Sequence, residues 1–428
     1  MENGTWEFLI VGSGAGGATL ARELTKRGKD VLVVERGRRE ENIGTLMDSL
    51  RFFDFTRIKT PKRSQEGVIL WRTLMAGGST MVSAGNGTPC LGDELADLGI
   101  SLEEEFGEVA QDMEVAPIAE GLLSEGSEKI RWAASQVDCS MELMPKFIDP
   151  VRCQKCGKCV FGCAEGAKWT ALDYLDEAEE SGAEVLYNTS VEEVLIQNGN
   201  VEGVRAVGPG GPSEIRADVV ILAAGGLGTP VILQESGFEE AGSDLWVHLF
   251  VNTYGITEGL NQLQEPTMAL VADQYHETEG FILSPFVQPH SMVRFMESGP
   301  RQMLRSATRL TGIMTKTADD PAGRVFPDGT VSKPVTAADQ ARLNEGSSIA
   351  REILINAGAH PQSIVVSKPQ GAHPGGTSAI GKVVDEDLQT AVSGLFICDG
   401  SVLPTAAGMP PIMTICALAK RLAQTLAP

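Results

Sequence analysis

The stretch Phe8-Leu-Ile-Val-Gly-Ser-Gly-Ala-Gly-Gly-Ala-Thr-Leu-Ala-Arg22 joins an apolar strand to a helix through a glycine-rich turn. In this pattern Gly12 permits the tight turn, Gly14 lets backbone N–H groups approach a pyrophosphate, and Gly17 lets the helix pack closely on the strand. A second apolar strand ends at Glu35, eighteen residues past Gly17, where a carboxylate can bind a ribose hydroxyl. Because strand, turn, helix and acid follow in this order, the stretch predicts a dinucleotide-binding site rather than a glycine turn without a ligand.

Length and composition limit the remaining classes. A chain of 428 residues with 42% hydrophobic residues is typical of a globular protein with two or three domains, or of one domain with insertions. The net charge of −22 disfavours nucleic acid and anionic membrane surfaces as partners. Only seven residues precede Phe8, and no apolar run approaches the ~20 residues of a membrane span. We therefore expect a soluble cytoplasmic protein with no membrane span.

After Glu35 the chain loses clear periodicity until Trp71, and an α/β pattern returns from Ala167. Two adjacent glycines followed by hydroxyls, Gly77-Gly78-Ser79-Thr80, predict backbone pressed against a ligand. Further on, the periodicity predicts these elements: a helix through 173–178, a strand at 184–187, a hairpin of 191–197 and 201–207, and a buried strand at 217–222 that leads through Gly225 into a helix at 229–234. The last of these is a second approach to the dinucleotide.

Four cysteines form the most specific motif, with the spacing C-x2-C-x2-C-x3-C: Cys153, Cys156, Cys159 and Cys163. This is the ferredoxin-type run, in which a short loop holds an iron–sulfur cluster. Zinc sites more often use two separated cysteine pairs. The spacing favours a 4Fe-4S cluster over a 3Fe-4S cluster, and over zinc or a structural role.

Some details of this cysteine loop stay open. The proline that follows the last ferredoxin cysteine is absent, so Cys163 could give way to a distant ligand, for which Cys90 and Cys139 are available. Lys155 and Lys158 lie beside the thiolates in sequence and would offset the charge of a cluster, or are simply exposed.

Several of these segments resemble the glucose–methanol–choline (GMC) flavoprotein oxidoreductases. The similar segments are the opening fingerprint with Val33-Val-Glu35-Arg-Gly, the loop at 77–80, Ala223 to Pro230, Ala372 to Gly381, Gly394 to Pro404 and Pro411 to Arg421. The cysteine run followed by Gly166-Ala-Lys168 resembles the long-chain alcohol oxidase branch and the iron–sulfur glucose dehydrogenases.

The resemblance implies a Rossmann-like FAD-binding domain, FAD as cofactor, and His373 as the catalytic base that takes a hydroxyl proton while hydride passes to the flavin. A histidine near its neutral pKa can do so at working pH. With the fingerprint, it implies these cofactor-binding residues: Gly12, Gly14, Gly17, Glu35, Gly77, Gly78, Ser79, Val191, Gly225, Asp399, Gly400 and Pro411. Asp399 could equally be a plain helix cap.

One position departs from the family pattern. Pro410 stands where the family places an Asn or His as partner of the first histidine, and a proline side chain can neither donate nor accept a hydrogen bond. Either His373 works alone, or His248 or His290 joins it, or the reaction is not alcohol oxidation.

The segment 241–340 is expected to form a small antiparallel-sheet substrate (cap) domain between two parts of the FAD-binding domain, 1–240 and 341–428. Strands are predicted at 268–272 and 281–290, with prolines at edges or ends. So small a cap predicts a pocket that is open or completed by a partner subunit. The Met-rich stretch 292–314 suits an apolar substrate or an ordinary core equally.

Three functions fit these features. The first is an FAD and iron–sulfur dehydrogenase that oxidises a CH–OH donor and passes single electrons to a carrier protein or quinone. The second is a reductase of an apolar C=C or C=O, fed by a ferredoxin-like donor. The third is a non-catalytic electron-transfer subunit.

Overall fold

The computed structural model describes residues 4–56, 60–288 and 310–428. The strands of this part of the chain are β1 (Trp6–Val11), β2 (Val31–Val34), β3 (Ile69–Leu70), β4 (Ala116–Pro117), β5 (Glu142–Leu143), β6 (Pro145–Lys146), β7 (Glu184–Leu186), β8 (Ser190–Gln197), β9 (Asn200–Gly208), β10 (Gly211–Leu222), β11 (Leu249–Ile256), β12 (Leu270–Val271), β13 (Phe281–Pro285), β14 (Leu310–Thr317), β15 (Arg324–Val325), β16 (Val331–Ser332), β17 (Val365–Val366), β18 (Gln370–Gly371) and β19 (Leu395–Ile397). The α-helices are α1 (Ala15–Lys26), α2 (Leu46–Ser49), α3 (Gly92–Ala96), α4 (Glu103–Asp112), α5 (Glu125–Ser135), α6 (Ala171–Glu180), α7 (Thr229–Glu235), α8 (His276–Glu279), α9 (Ala337–Asn356) and α10 (Ile412–Leu426).

The first sheet has seven strands in the order β7-β2-β1-β10-β9-β8, with β19 beside β10. Its centre is parallel, and Ile10 lies opposite both Val33 and Ile221. α1 packs on β1 and β2, and α6 and α10 pack against α1. The segments 8–11 and Val31–Val34 are buried and wholly apolar rather than alternating, as strands of a covered parallel sheet are. The hairpin β8–β9 extends the sheet on one side in antiparallel pairing. This confirms the Rossmann-like prediction and the elements expected up to residue 235.

The second sheet is mainly antiparallel, in the order β13-β14-β11-β18-β3, with β17 beside β11. Its long strands β11, β13 and β14 come from the expected cap segment, whereas β3, β17 and β18 come from outside it. α9 covers one face. The second sheet thus contains strands from the segment 241–340 and from the segments on either side of it. The domain limits at 240 and 340 stay a prediction.

The strand predicted at 268–272 is confirmed in part: Leu270–Val271 is an antiparallel strand, and Ala272 forms an antiparallel bridge to Leu283 of β13. Only Leu270–Val271 is a strand there, and it pairs with β5 in a separate two-stranded sheet. Met268 has a φ of 59°, a left-handed conformation that interrupts an extended strand. The strand at 281–290 is confirmed for Phe281–Pro285, where Pro285 ends the strand as expected, and its last two residues lie outside the described part.

Across residues 4–56, 60–288 and 310–428, none of the helices has the length and apolar character that crossing a bilayer requires.

Candidate active site

A cavity of about 1070 Å³ is lined by residues of both sheets, among them Val11 and Val34 from the first and Phe250 and Met314 from the second. Of the residues predicted to bind the cofactor, those that line it are Gly12, Gly14, Glu35, Gly78, Ser79, Val191, Gly225, Asp399, Gly400 and Pro411. Residues from both ends of the sequence thus meet in one space. Gly17 and Gly77 lie just behind its wall.

The glycine turn is built as a cradle without side chains. A Cβ at Gly12 would collide with the carbonyl oxygen of Ala223, and one at Gly17 with the carbonyl oxygen of Gly12. At Gly78 a Cβ would come 3.0 Å from the Cα of Gly14, so the second glycine loop lies directly on the first turn. A Cβ at Gly14 would meet no heavy atom within 4 Å, and Gly14 lines the cavity, so its Cα faces open space. These positions fit the pyrophosphate of a dinucleotide.

Glu35 is held in place by the turn. Its carboxylate accepts hydrogen bonds from the Ser13 N–H at 2.9 Å, the Ser13 hydroxyl at 2.7 Å and the Gly37 N–H at 2.6 Å. The Ser13 Oγ in turn accepts from the Gly77 N–H at 3.1 Å. The network fixes a carboxylate on the cavity wall, where the sequence predicted a ribose-binding acid.

Asp399 caps local backbone and also lines the cavity. Its carboxylate accepts from the N–H groups of Gly225 and Ser401, both at 2.7 Å, and from the Thr229 hydroxyl. Burial raises its pKa, and these hydrogen bonds act against that shift. The capping role and the predicted cofactor contact therefore share one side chain.

His373 lines the cavity, and His248 lies directly behind it. Their Nδ1 atoms are 3.2 Å apart, so one nitrogen carries the hydrogen and the other accepts it. The Trp246 ring stacks on His248, with ring centres 4.7 Å apart. Burial lowers the pKa of both histidines well below the usual 6.5, and a charge on nearby Lys316 would lower both further. The structure thus brings together two of the three histidines predicted, as neutral rings, and His290 lies outside the described residues.

A buried carboxylate holds the backbone on both sides of His248. Asp319 accepts from the N–H of Val247 at 3.0 Å and of Leu249 at 2.9 Å, and it pairs with Lys333 at 3.0 Å. His248 itself has a φ of 50°, which is unusual for a residue with a Cβ. Asp319 therefore stabilises the backbone turn that aims His248 at His373.

No motif in the sequence identified Lys316 on β14 as a site residue. It lines the same cavity, only 3% of it is exposed, and its Nζ has no hydrogen-bond partner in the described part of the chain. A lysine inside an otherwise uncharged strand was the available signal, because lysine is almost never buried without a partner.

Pro410 has no polar side chain to offer at this wall. The next turn instead carries Thr414, whose hydroxyl donates to the Cys90 carbonyl oxygen at 2.7 Å and lies 3.1 Å from the Cys90 Sγ. Cys90 thus contacts the helix that begins at Ile412, and it does not line the cysteine cavity.

Comparison with known proteins agrees with this geometry. Residues 100–250 and 284–419 match the N- and C-terminal models of the GMC oxidoreductase family, and residues 10–61 match an NAD(P)-binding Rossmann-like domain. The chain belongs to the GMC oxidoreductases. It is accordingly an FAD-dependent oxidoreductase.

Relatives of this GMC oxidoreductase cover nearly its whole length. An uncharacterized protein of Methanocaldococcus jannaschii is 29% identical over 97% of this chain and 98% of its own. An uncharacterized GMC-type oxidoreductase of Mycobacterium tuberculosis is 26% identical over 98% of this chain and 76% of its own. A long-chain-alcohol oxidase of Arabidopsis thaliana is 24% identical over 96% of this chain and 65% of its own.

Solved structures share the fold at low identity. Pyridoxine 4-oxidase from Mesorbium loti superposes with a TM-score of 0.74 at 16% identity, over 98% of this GMC oxidoreductase and 99% of that chain. Formate oxidase from Aspergillus oryzae superposes with a TM-score of 0.76 at 14% identity, over 100% and 99%.

The four loop cysteines of this GMC oxidoreductase line a second, smaller cavity of about 180 Å³. Within the described residues, no three His, Cys, Asp or Glu side chains converge closely enough to hold a metal ion as they stand. The Ala167 N–H donates to the Cys163 Sγ at 3.3 Å. Burial raises the pKa of the Cys153 and Cys156 thiols, and the N–H groups of Lys155 and Lys158 act against that shift.

The two cavities are separated by little more than one turn of chain. Cys159 faces the small cavity, and the next residue, Val160, lines the large one. Lys168 lines the small cavity and donates from Nζ to the carbonyl oxygens of Met81 at 3.0 Å and Ser83 at 2.7 Å. Ser83 also lines the large cavity, so the same backbone borders both spaces.

The charge near the cysteines agrees with the sequence-based prediction at Lys158, which lines the small cavity and acts to lower the pKa of Cys156, and differs from it at Lys155. The Lys155 ammonium donates to the carbonyl oxygens of Gly121 and Leu123, at 3.1 and 3.0 Å, which directs it to backbone. The buried Lys168, which the prediction did not name for this role, faces the cysteines, and burial lowers its pKa to about 8 although thiolates at Cys159 and Cys163 would raise it. Cys139 lies in the apolar cluster against which Cys153 packs, but it does not line the cysteine cavity.

Proposed function

We propose that this GMC oxidoreductase is a dehydrogenase that removes hydride from a CH–OH donor and passes the electrons singly through a 4Fe-4S cluster to a carrier protein or quinone. The observation that carries the first half is the joining of the glycine cradle and the His373–His248 pair in one cavity. FAD bound in the cradle supplies the hydride acceptor.

In this proposal His373 contacts the hydroxyl of the donor from the cavity wall. Its ring is neutral at pH 7 because burial lowers its pKa, so it can hydrogen-bond a hydroxyl without carrying a charge. His248 fixes the orientation and tautomer of that ring through the Nδ1 contact. The lowered pKa also makes His373 a weak proton acceptor.

The donor is proposed to be apolar. On the substrate side the cavity is lined by Phe250, Met268, Phe286 and Met314. Such side chains favour an aliphatic or aromatic alcohol over a sugar, whose several hydroxyls would need more polar partners. The names of the Arabidopsis relatives point the same way.

The cysteine cavity supports a cluster rather than a chance grouping of thiols. The ferredoxin-type spacing, four thiols around one space and N–H groups directed at three of the sulfurs suit thiolate ligands. The buried cation of Lys168 would offset part of the negative charge of a thiolate-bound cluster. A cluster held there would supply single-electron transfer. Cys159 lines the small cavity, and the next residue, Val160, lines the large one.

The cluster distinguishes a dehydrogenase from an oxidase. An enzyme that hands its electrons to oxygen at the flavin has no use for a second redox centre, whereas a carrier-coupled enzyme needs an exit for single electrons. We therefore propose dehydrogenase chemistry even though several named relatives are oxidases.

The reverse reaction is the second candidate. Pro410 removes the side chain that the family pairs with the first histidine, which favours a reductase of an apolar C=C or C=O fed by a ferredoxin-like donor. An electron-transfer subunit without catalysis would need neither His373 nor a substrate cavity.

The experiment is anaerobic mixing of the purified holoenzyme with primary alcohols of increasing chain length, followed by the flavin absorbance. Bleaching that improves with chain length is expected, with turnover supported by a one-electron dye and not by oxygen. No bleaching by any alcohol would refute the oxidation, and rapid peroxide production in air would refute the dehydrogenase assignment.

A further inference from the structure

Lys316 is the only lysine of β14, and it lies among apolar neighbours. It is opposite Phe250 on β11 and Ile282 on β13. α9 packs against the residue that precedes Lys316 on the strand, because Gly346 of this helix lies against the Thr315 side chain. The Lys316 Nζ is fully buried, has no hydrogen-bond partner among the described residues, and belongs to the wall of the cavity that holds His373.

Each charged or titratable group near Lys316 is occupied elsewhere. Asp319 is paired with Lys333 and holds two backbone N–H groups. The Cys90 thiol is hydrogen-bonded to the Thr414 hydroxyl. His248 and His373 are bonded to each other and are neutral.

With no counter-ion bonded to it, the lysine amine is easily deprotonated. Burial lowers the pKa of Lys316 to about 7, and charges on Cys90 and Asp319 would only partly oppose this shift. At pH 7 about half of the Lys316 amines are therefore neutral, with an available lone pair, and the neutral fraction rises above that pH.

Lys316 lines the same cavity as Pro411, the residue that follows Pro410. The Cys90 Sγ lies 3.1 Å from the Thr414 hydroxyl and 4.0 Å from the Pro410 carbonyl oxygen, and a charge on Cys90 would raise the pKa of Lys316. The lysine and the segment that carries the proline therefore border one space. The lysine supplies from β14 a polar group that the proline cannot supply from its own position.

We propose that Lys316 is a further catalytic residue: its amine takes the hydroxyl proton of the CH–OH donor while His373 hydrogen-bonds the same oxygen. The O–H bond breaks and an N–H bond forms, which converts the amine to an ammonium. The electron pair left on oxygen becomes the second bond of the carbonyl as the C–H bond breaks and its electron pair leaves as the hydride that the flavin accepts. This role rests on the proposed oxidation of a CH–OH donor.

The pH dependence of flavin reduction tests the role directly. In anaerobic single-turnover mixing with a saturating alcohol, the rate should rise with pH through about 7, because only the neutral amine can accept the proton. Lys316→Met should lower the rate by roughly 10²–10⁴-fold, the range for a positioned acid–base group, and should abolish this rise. Lys368→Met, a change at an exposed lysine, is the matched control and should keep both the rate and the profile.

A second measurement does not depend on turnover. The wild-type holoenzyme is treated at pH 7 with an aliphatic aldehyde and cyanoborohydride, and the modified lysines are mapped by peptide mass. An ordinary lysine with a pKa of ~10.4 is neutral in only about one molecule in 2500 at pH 7, so the Lys316 amine should be alkylated well ahead of surface lysines.

The outcomes separate this role from the proposed function. Early alkylation of Lys316 together with loss of the pH-dependent rise in Lys316→Met supports the lysine as base. Alcohol-driven reduction that keeps its rate and pH profile in Lys316→Met, with full flavin content, overturns the lysine's role and leaves the dehydrogenase standing. Absence of reduction by any alcohol in the wild type overturns both.

Discussion

Replacing His248 by Leu removes the contact that orients His373 and puts an apolar side chain in place of the imidazole. The two Nδ1 atoms are 3.2 Å apart, and both side chains are buried, so the variant leaves one nitrogen of His373 without its partner. An unsatisfied buried polar group costs ~1–3 kcal/mol. If the whole cost appears in the transition state, at a factor of ten per ~1.4 kcal/mol, flavin reduction slows by about 5- to 150-fold.

The loss of the ring has a separate effect on stability. His248 stacks on Trp246, and a ring pair of this kind contributes ~0.5–1.5 kcal/mol beyond its buried area. The variant should therefore unfold at a slightly lower temperature while it keeps its flavin. His248→Asn, which can still donate to His373, should recover part of the rate.

The assay is anaerobic stopped-flow reduction of bound flavin, with flavin content and thermal unfolding measured on the same preparations. His360→Leu is the matched control, because this histidine is exposed and its side chain holds no contact to His373. A His248→Leu enzyme that reduces its flavin within twofold of the wild-type rate would refute the reasoning, since His373 would then hold its orientation without a partner.

Three further outcomes are expected. FAD should be bound non-covalently, because no histidine lies in the fingerprint or the 77–80 loop, and acid precipitation should release yellow flavin; flavin retained in the pellet would contradict this. Anaerobically purified protein should contain about four irons per chain. Replacing Cys156 and Cys159 by Ser should remove the iron and dye-coupled turnover while flavin reduction persists. Stoichiometric zinc in place of iron would refute electron transfer through a 4Fe-4S cluster. Gly14→Ala should lower flavin content with little change in fold stability, because the added Cβ meets only the cofactor space. Gly17→Ala should destabilise the fold by ~1–3 kcal/mol, because its Cβ collides with the Gly12 carbonyl oxygen. Equal effects of the two variants in calorimetry and flavin titration would be inconsistent with these separate roles.

Local pattern was sufficient for the nucleotide-binding half of the molecule. The turn at Gly12, the strands around it and the helix that follows depend on contacts between neighbours in sequence, and each forms where its pattern predicted it. The prediction failed at Met268, where an apolar run looks like a strand but a left-handed residue precedes the short strand that forms. Apolar composition alone does not distinguish a strand from a buried irregular segment.

By itself the sequence indicated the dinucleotide cradle and the cysteine loop, because each is a short motif with a characteristic spacing, whereas His373 was implied by the resemblance to the GMC family. Only the tertiary structure decided that His248 meets His373 across 125 residues of chain, and that the Lys316 Nζ reaches the same cavity without a hydrogen-bond partner among the described residues. The physical reason is desolvation: whether a histidine or lysine is charged at neutral pH depends on the groups packed around it, and those come from distant strands. A residue's name gives its ordinary pKa, and the fold sets the pKa at which it acts.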